Sequence, residues 1–354
     1  MSGVVTSAEE LTAEWVTDAL RATGLQVNVV GVCSEQVGTG QMGASHRLHL
    51  TYGEGSDDGP ATLVAKLAAG DLEARQRVAS AYVKEVGFYR EVADTVRIRR
   101  PHLWHAAIAD EGASFTLLLE DLRSSRPGVQ HEGCSVDQAS DALRNVAGLH
   151  APRWDDPTLL DHDFLAPIGA DTAAFLGEVL VGATEDFVAR YAGDLDTQDQ
   201  ATLRDAAAVT SAWQLARPEP FGLVHGDYRL DNLMFPAEGP GVCALDWQTV
   251  AVGPPLRDVA YFLGNSLLVE DRRRHEERLV AEYHDELMAQ GVEGYDADRC
   301  WLDYRLGQLQ GPMITVLGCM YATAVRSDAA DRMFLAMATR SAAAIRDLDP
   351  FELL

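Results

Sequence analysis

The sequence predicts an α+β protein with a small β-rich N-terminal lobe and a larger, mainly helical C-terminal lobe. Polar and apolar residues alternate with strand periodicity over residues 45–52, whereas residues 137–150, 175–191 and 203–215 carry apolar side chains at helical steps. The 354 residues are enough for two lobes, and a hydrophobic content of 47% allows a sizeable core. We therefore expect one unit built from two lobes.

The elements can be assigned in order along the chain. Ser7, with Glu10 three residues later, is a capping-box signature and predicts an amphipathic helix over residues 7–23. Strands and one helix are expected to fill residues 26–119. Helices are expected in the remainder, except for a hairpin around Pro236, where apolar runs flank six turn-forming residues.

Composition argues against several classes of protein. The net charge of −25, from 29 basic and 54 acidic residues, argues against a nucleic-acid partner, because phosphate neutralisation needs basic patches. Such acidity either favours a cationic substrate or serves solubility alone. The five cysteines are odd in number and widely spaced, so we expect reduced thiols and no zinc site. Neither a signal peptide nor membrane insertion is expected, which favours a cytoplasmic protein. The sequence carries no signal for an oligomeric state.

The most informative segment is the polar loop that precedes the hairpin. It reads His225-Gly226-Asp227-Tyr228-Arg229-Leu230-Asp231-Asn232, and the hairpin is followed by Asp246-Trp247. Kinases use this spacing of Asp, Asn and a second Asp to orient a hydroxyl and to hold magnesium. The hairpin returns Asp246 to the neighbourhood of Asn232, so a carboxylate and an amide oxygen can share a magnesium ion. The alternative is that Asp227 and Asp231 only cap turns.

This block resembles the aminoglycoside phosphotransferase and choline-kinase-like superfamily, a small-molecule branch of the protein-kinase fold. The resemblance implies that Asp227 is catalytic and that Asn232 and Asp246 bind magnesium. Trp247 departs from the Phe of the Asp-Phe-Gly motif, which disfavours a switch based on Phe packing. His225 is expected to brace the loop, with a role as a base as the alternative.

A glycine-rich loop lies upstream, where the resemblance requires one. Gly38, Gly40 and Gly43 match G-x-G-x-x-G, which dinucleotide-binding folds also use. A strand rather than a helix follows, and strand-loop-strand is the arrangement in which kinases cover the phosphates of ATP.

Two charged side chains, Lys66 and Glu85, lie in apolar segments and each requires a partner of opposite charge. Lys66 lies within an apolar strand that resembles the phosphate-binding strand of kinases, although it could instead snorkel at a sheet edge. Glu85 lies on the apolar face of a helix predicted over residues 72–92, and a desolvated carboxylate requires a cation. We expect Lys66 to pair with Glu85, and Glu91 is the less favoured partner.

The resemblance also sets the expected domain boundaries. Residues 1–119 would be the nucleotide-binding lobe, 120–124 a hinge whose backbone meets adenine through Glu120 and Leu122, and 125–354 the catalytic and acceptor-binding lobe. Glu120 and Asp121 could equally be solvated turn residues. Asp258 matches a structural Asp that braces the catalytic loop, or it is a first-turn helix residue favoured by the helix dipole.

These features predict an ATP- and magnesium-dependent kinase whose acceptor is a hydroxyl of a small molecule. The alternatives are an antibiotic-modifying aminoglycoside kinase, a pseudokinase-type nucleotide-binding module and, less favoured, a protein kinase. A helix predicted over residues 304–321 offers small, apolar and amide side chains. Either it is simply core, or Gln308, Met313 and Tyr321 face the cleft. In the second case, a weakly charged or lipophilic alcohol is the expected acceptor.

Overall fold

The chain divides into two compact units. The computed structural model describes residues 3–38, 43–56, 58–321 and 327–354. The first unit comprises Met1–Asp94, Arg100–Arg123 and Asp246–Thr249, and the second comprises Thr95–Arg99, Ser124–Leu245 and Val250–Leu354. The short segment that begins at Asp246 therefore belongs to the first unit, although it is distant from it in sequence.

An antiparallel sheet forms the centre of the first unit. Its strands are β1 (Val29–Val37), β2 (Gly43–Tyr52), β3 (Thr62–Ala68), β4 (Leu103–Ala109) and β5 (Ser114–Glu120). They lie in the order β1-β2-β3-β5-β4. The predicted strand-loop-strand arrangement around the glycines is confirmed, because β1 and β2 pair directly.

Strand β3 presents two different faces. Ala65 and Leu67 are buried in an apolar cluster that also contains Leu20 of helix α1 (Ala13–Arg21). Since successive side chains of a strand point to opposite faces, Lys66 lies on the face away from this cluster. The lysine can therefore occupy the middle of a strand without entering the apolar core.

The prediction of one helix over residues 7–23 is wrong at the N-terminal end of the helix. Ala8–Glu10 forms a separate 3-10 turn, and α1 begins after Thr12, whose side chain caps it. Glu10 does not close a capping box with Ser7, because its carboxylate accepts hydrogen bonds from the backbone and side chain of Thr6.

The single helix predicted over residues 72–92 is divided into three pieces. They are α2 (Leu72–Arg77), α3 (Ala79–Gly87) and a π-helical turn (Phe88–Val92). Val78 separates the first two pieces, since its φ of −113° and ψ of 10° are not helical. Glu85 therefore lies on the short α3, immediately before a π-helical turn, a feature that is frequent at functional sites.

Helices form most of the second unit, which confirms the predicted α+β class. They are α4 (Val136–His150), α5 (Ala170–Arg190), α6 (Thr197–Leu215), α7 (Leu256–Ser266), α8 (Val269–Ala289), α9 (Ala297–Gly307), α10 (Gln310–Tyr321) and α11 (Asp328–Leu348). The first three confirm predicted helices, and each begins earlier than expected. Within the described parts of the chain, none of the helices has the length and apolar character needed to cross a membrane.

Short strands frame the polar loop of the second unit. They are β6 (Ser125–Pro127), β7 (Gly222–Val224), β8 (Leu233–Pro236), β9 (Cys243–Ala244) and β10 (Ala251–Gly253). Strands β8 and β9 pair antiparallel, which confirms the predicted hairpin. Strand β7 leads into the loop and pairs with β10. The loop is thus held between β7 and the hairpin.

The helix predicted over residues 304–321 is two helices, α9 and α10. Gly307, the last residue of α9, lies so close to α7 that a Cβ there would be 2.8 Å from the carbonyl oxygen of Leu256. A larger side chain at this crossing would displace α7. Gln308, the next residue, is only 2% exposed. Gln308 therefore lies in the interior of the second unit.

Candidate active site

Lys66 forms ion pairs with two carboxylates inside the first unit. Its Nζ lies 2.8 Å from Oε1 of Glu85 and 3.2 Å from Oδ1 of Asp246. The predicted pairing with Glu85 is confirmed. The contact with Asp246 was not predicted, because the two residues are 180 positions apart in the chain.

The charge state of Lys66 follows from these contacts. Burial lowers the pKa of its ammonium group, but the carboxylates of Asp246 and Glu85 raise it by more, so the pKa lies above its ordinary value. Lys66 is therefore a permanent cation. Two of its three N–H groups point to carboxylates, and the third has no hydrogen-bond partner among the residues that the structure describes.

Asp246 has a strained backbone and a firmly packed neighbour. Its φ of +62° lies in the left-handed region, which Asp tolerates better than most residues and which is frequent at functional sites. Trp247 stacks on Phe88 with ring centroids 3.7 Å apart and the rings 10° from parallel. Trp247 thus packs against the π-helical turn after α3, and this stack holds Asp246 near the helix that carries Glu85.

The glycine-rich loop is only partly described. Residues 39–42, and with them Gly40, lie outside the described residues. Gly38 has a φ of +73°, a conformation that favours glycine. A Cβ on Gly43 would lie 3.2 Å from the carbonyl oxygen of Leu67 and 3.4 Å from Cε of Lys66. Gly43 therefore allows β2 to approach the lysine stem closely.

The predicted hinge residues are held by local contacts. The carboxylate of Glu120 accepts a hydrogen bond from the backbone N–H of His102, and its own N–H donates to the carbonyl of that residue. Asp121 pairs with Arg47 at 2.9 Å, and its side chain is buried. The alternative that Glu120 and Asp121 are solvated turn residues is therefore wrong. Leu122 lies partly exposed after them.

In the second unit, Asp258 braces the polar loop. This fully buried carboxylate accepts hydrogen bonds from the backbone N–H groups of His225, at 2.6 Å, and Gly226, at 2.9 Å. The predicted bracing role is confirmed, and Asp258 also lies in the first turn of α7. His225 braces the loop as expected, because its Nε2 pairs with the carbonyl oxygen of Leu245 at 2.9 Å and its Nδ1 accepts the N–H of Asp227.

Asp227 lies in the loop with its carboxylate surrounded by donors. Tyr261 O–H donates to Oδ1 at 2.8 Å, and Nδ2 of Asn232 donates to Oδ2 at 2.9 Å. Nε of Arg229 lies 3.1 and 3.2 Å from the two oxygens. The carboxylate is therefore held in one orientation rather than left mobile.

Asn232 is oriented by the same network. Its Nδ2 donates to both the carbonyl oxygen and Oδ2 of Asp227. Its Oδ1 makes no hydrogen bond with any residue in the described part of the chain. The backbone of Asn232 accepts a hydrogen bond from Leu245 N at 2.8 Å, so the hairpin returns to the loop at this point. The amide oxygen is thus the atom that Asn232 can offer to a cation.

For Gln308 and Met313 the structure favours the first of the two alternatives given for residues 304–321, that the segment is core. Gln308 and Met313 are buried, and Sδ of Met313 accepts a hydrogen bond from Gln214, so these two side chains are core rather than cleft residues. Tyr321 is 77% exposed. The side chain that reaches the polar loop is Gln310, whose Nε2 donates to the carbonyl oxygen of Gly226 at 3.0 Å.

Several side chains that contact Asp227 or its neighbours in the loop were not predicted, among them Arg229, Tyr261 and Gln310. Arg229 lies two residues after Asp227, and this proximity was the available signal. Tyr261 lies three residues after Asp258, one helical turn along the same face of α7. Nothing in the sequence pointed to Gln310.

Comparison with known families identifies the chain. The family described as "Phosphotransferase enzyme family" matches residues 42–301, which is most of the chain. Over 48 residues the chain is 52% identical to acyl-CoA dehydrogenase family member 10 of Mus musculus. That match covers 13% of this chain and only 4% of the mouse protein, so the chain spans a small part of the curated relatives that it matches.

Solved structures share the fold over nearly the whole chain. A protein from Ralstonia eutropha JMP134, described as an aminoglycoside phosphotransferase, matches with a TM-score of 0.54 and 18% identity, covering 94% of this chain and 98% of its own. The GDP and kanamycin complex of APH(2")-IIia matches with a TM-score of 0.54 and 14% identity, covering 93% and 98%. At such identities the likeness shows the fold alone. From the family match, the chain belongs to the phosphotransferase enzyme family, and its α+β fold is the kinase-like fold of these structures.

Proposed function

We propose that the chain transfers the γ-phosphate of ATP to a hydroxyl group of a small molecule and requires magnesium. The observation that carries this proposal is the hydrogen-bonded pair of Asp227 and Asn232. It keeps a carboxylate in one orientation for the hydroxyl and leaves an amide oxygen for the metal, as phosphoryl transfer requires.

In the proposed reaction, the acceptor oxygen forms a bond to the γ-phosphorus as the bond to the β–γ bridging oxygen breaks. ADP leaves with that electron pair. Asp227 aligns the acceptor hydroxyl and takes its proton as the new bond forms. Tyr261 and Asn232 hold the carboxylate in place beforehand, so little reorganisation is needed during the reaction.

The donor atoms suit magnesium. The carboxylate of Asp246 and Oδ1 of Asn232 are hard oxygen ligands, and magnesium commonly takes one or two protein oxygens together with substrate phosphates. The metal, when bound, would neutralise the phosphate charge that builds up during transfer. The Asp246 side chain is 40% exposed, which leaves it accessible to an ion.

We place the ATP-binding residues in the first unit. The third N–H of Lys66 would bind a phosphate oxygen, and the loop containing Gly38, Gly40 and Gly43 would cover the phosphates. The hinge over residues 120–124 would meet adenine. Because the N–H of Glu120 already donates to His102, we assign the adenine contact to the backbone around Leu122.

For the acceptor we propose a weakly charged or lipophilic alcohol. A polycationic aminoglycoside would need several carboxylates, and α10 contains none. The exposed end of this helix instead presents the apolar Met320 and the aromatic Tyr321. Since Gln308 and Met313 are buried, the proposal rests on the composition of α10 and not on those two side chains.

The Lys66→Ala variant tests whether the site turns over a nucleotide. We expect wild-type protein to hydrolyse ATP slowly with magnesium, because water can replace the acceptor inefficiently. We expect the hydrolysis rate of the variant to be lower by about 10²-fold or more. The variant lacks the cation that would contact the phosphates, so transition-state stabilisation is lost. Phosphate release is measured at saturating ATP, with Lys84→Ala of α3 as the control. Tight ATP binding by wild type without transfer to water or any alcohol would instead favour a nucleotide-binding module.

The acceptor class can be tested directly. Transfer of radiolabel from [γ-³²P]ATP is compared across aminoglycosides, choline-like amines, sugars and lipophilic alcohols. We expect the highest kcat/KM with the lipophilic alcohols. Efficient labelling of an aminoglycoside, with none of the lipophilic alcohols, would overturn the acceptor assignment and leave the kinase assignment standing.

A further inference from the structure

The polar loop lies along α7 within the second unit. Asp258 and Tyr261, one helical turn apart on that helix, hold the first half of the loop. Asn265 lies one turn further along the same face. Among the described residues, the second half of the loop, from Leu230 onwards, has no direct hydrogen bond to α7. Another residue must therefore connect this half to the helix.

Gln130 makes that connection. Its side-chain Oε1 accepts the N–H of Leu230, and its Nε2 donates to the carbonyl oxygen of Asn265, both at 2.9 Å. Its backbone N–H donates to Oδ1 of Asp231 at 2.9 Å. Since one side-chain partner is an N–H group and the other a carbonyl, the orientation of the amide is determined by its partners. Gln130 thus binds two consecutive residues of the loop, although it lies 100 positions before Leu230.

A glutamine suits both side-chain partners at this position. The residue is 1% exposed, so water does not replace a hydrogen bond that is lost here. An ionised glutamate has no N–H to donate, and an asparagine is one methylene shorter. Any such replacement leaves the N–H of Leu230 or the carbonyl oxygen of Asn265 without the partner that it now has.

The segment around Gln130 is itself held in place. Nη1 of Arg340 on α11 donates to the carbonyl oxygens of Gln130, at 2.8 Å, and Asn265, at 3.0 Å. A Cβ on Gly128 would lie 2.6 Å from the carbonyl oxygen of Leu230, so the backbone of this segment contacts the backbone of the loop. The position of Gln130 is therefore determined by α11 and by close packing, independently of its own side-chain amide.

We propose that Gln130 is a positioning residue, which keeps Asp227 and Asn232 in their mutual geometry for phosphoryl transfer. This inference rests on the proposed function of that pair. Leu230 and Asp231, which Gln130 binds, lie between the two in the chain. The pair itself is joined by a hydrogen bond of 2.9 Å. A displacement of about 1 Å at a catalytic group costs about 10²-fold in rate. Gln130 is assigned no contact with the reacting atoms.

The first test measures the loop directly and needs no turnover. In Gln130→Met, an unbranched apolar side chain of similar length replaces the amide, so the buried N–H of Leu230 loses its acceptor. We expect backbone amide hydrogens of the loop to exchange at least about tenfold faster than in wild type. Hydrogen–deuterium exchange is followed by mass spectrometry on peptides that cover residues 225–233. Unchanged protection of the loop in the folded variant would overturn the proposal.

A matched control is Gln214→Met. Gln214 is another buried glutamine of the second unit, and its side chain donates to Sδ of Met313 and accepts from Arg257. This variant should lower the melting temperature but leave kcat and exchange in the loop within about threefold of wild type. A general loss of stability is thereby separated from a loss of loop positioning. Equal effects of the two variants on the loop and on kcat would contradict a specific role of Gln130.

Turnover provides the second readout. In magnesium-dependent ATP hydrolysis, Gln130→Met should lower kcat by about 10²-fold, while the KM for ATP stays within about threefold, because Gln130 is assigned no phosphate contact. Gln130→Glu keeps an acceptor for Leu230 and should regain part of kcat. If Gln130→Met does not fold, Gln130→Asn, whose amide is one methylene shorter, takes its place in both tests.

Failure of this inference and failure of the proposed function are distinguishable. If wild-type protein transfers phosphate neither to water nor to any alcohol, the proposed function fails, and the positioning role fails with it. If wild-type protein is active and the folded variant without the Gln130 amide matches it in kcat, only this inference fails.

Discussion

The Asp227→Asn variant is expected to lower kcat for phosphoryl transfer by about 10²–10⁴-fold, the range that general-base catalysis contributes. Asn cannot accept the acceptor proton. Its amide group also places a donor against Tyr261, Asn232 or Arg229, all of which donate to the present carboxylate. Nucleotide binding should be largely retained, because Asp227 is assigned no phosphate contact. Single-turnover transfer and nucleotide titration measure the two effects separately.

A matched control exists in the same unit. Asp303 accepts hydrogen bonds from Tyr295 and from two arginines, Arg217 and Arg299, so its surroundings resemble those of Asp227. Asp303→Asn should cost stability but leave kcat within about threefold of wild type, since residues away from the reacting atoms do not alter transition-state binding. Wild-type turnover by Asp227→Asn with a confirmed acceptor would remove Asp227 from the mechanism.

The second large effect is expected for Asp246→Ala, which should lose the magnesium-dependent part of nucleotide binding. The carboxylate is both the proposed metal ligand and a partner of Lys66. A nucleotide at 100 times its Kd stabilises a protein by about 2.7 kcal/mol. We expect wild type to show such stabilisation by ATP with magnesium and much less with EDTA. The variant should show the same small shift in both conditions.

Two controls separate metal binding from backbone strain. Alanine tolerates the left-handed φ of residue 246 less well than Asp or Asn, so Asp246→Asn tests the loss of charge with less strain. Asp94→Ala removes a fully exposed carboxylate of the same unit, paired with Arg100, and should keep the full magnesium-dependent shift. An undiminished shift in both variants at position 246 would exclude Asp246 as a metal ligand.

Local sequence patterns were sufficient to predict the α+β class, the hairpin and the Lys66–Glu85 pair. Each depends on a requirement that can be read within a short segment. A cation inside an apolar strand and a carboxylate on an apolar helix face both need a partner. Turn-forming residues between two apolar runs predict a hairpin. The structure satisfies all three requirements.

The first and last residues of the helices could not be predicted from local sequence patterns. The start of α1 depends on Glu10 bonding to Thr6 instead of forming a capping box. The break before Gln308 lies where α9 packs closely against α7, through Gly307. In the first case two neighbouring partners, Thr6 and Ser7, compete for the same carboxylate, and in the second the partner is a helix that is distant in the chain.

The sequence by itself determined the family and the groups that carry the proposed chemistry, because the spacing of Asp227, Asn232 and Asp246 is a property of one continuous block. Only the tertiary structure decided how those groups are held. The donation of Tyr261 to Asp227 and the stacking of Phe88 on Trp247 join segments that are distant in the chain. Such contacts arise from the packing of whole elements, so no periodicity or spacing within a single segment encodes them.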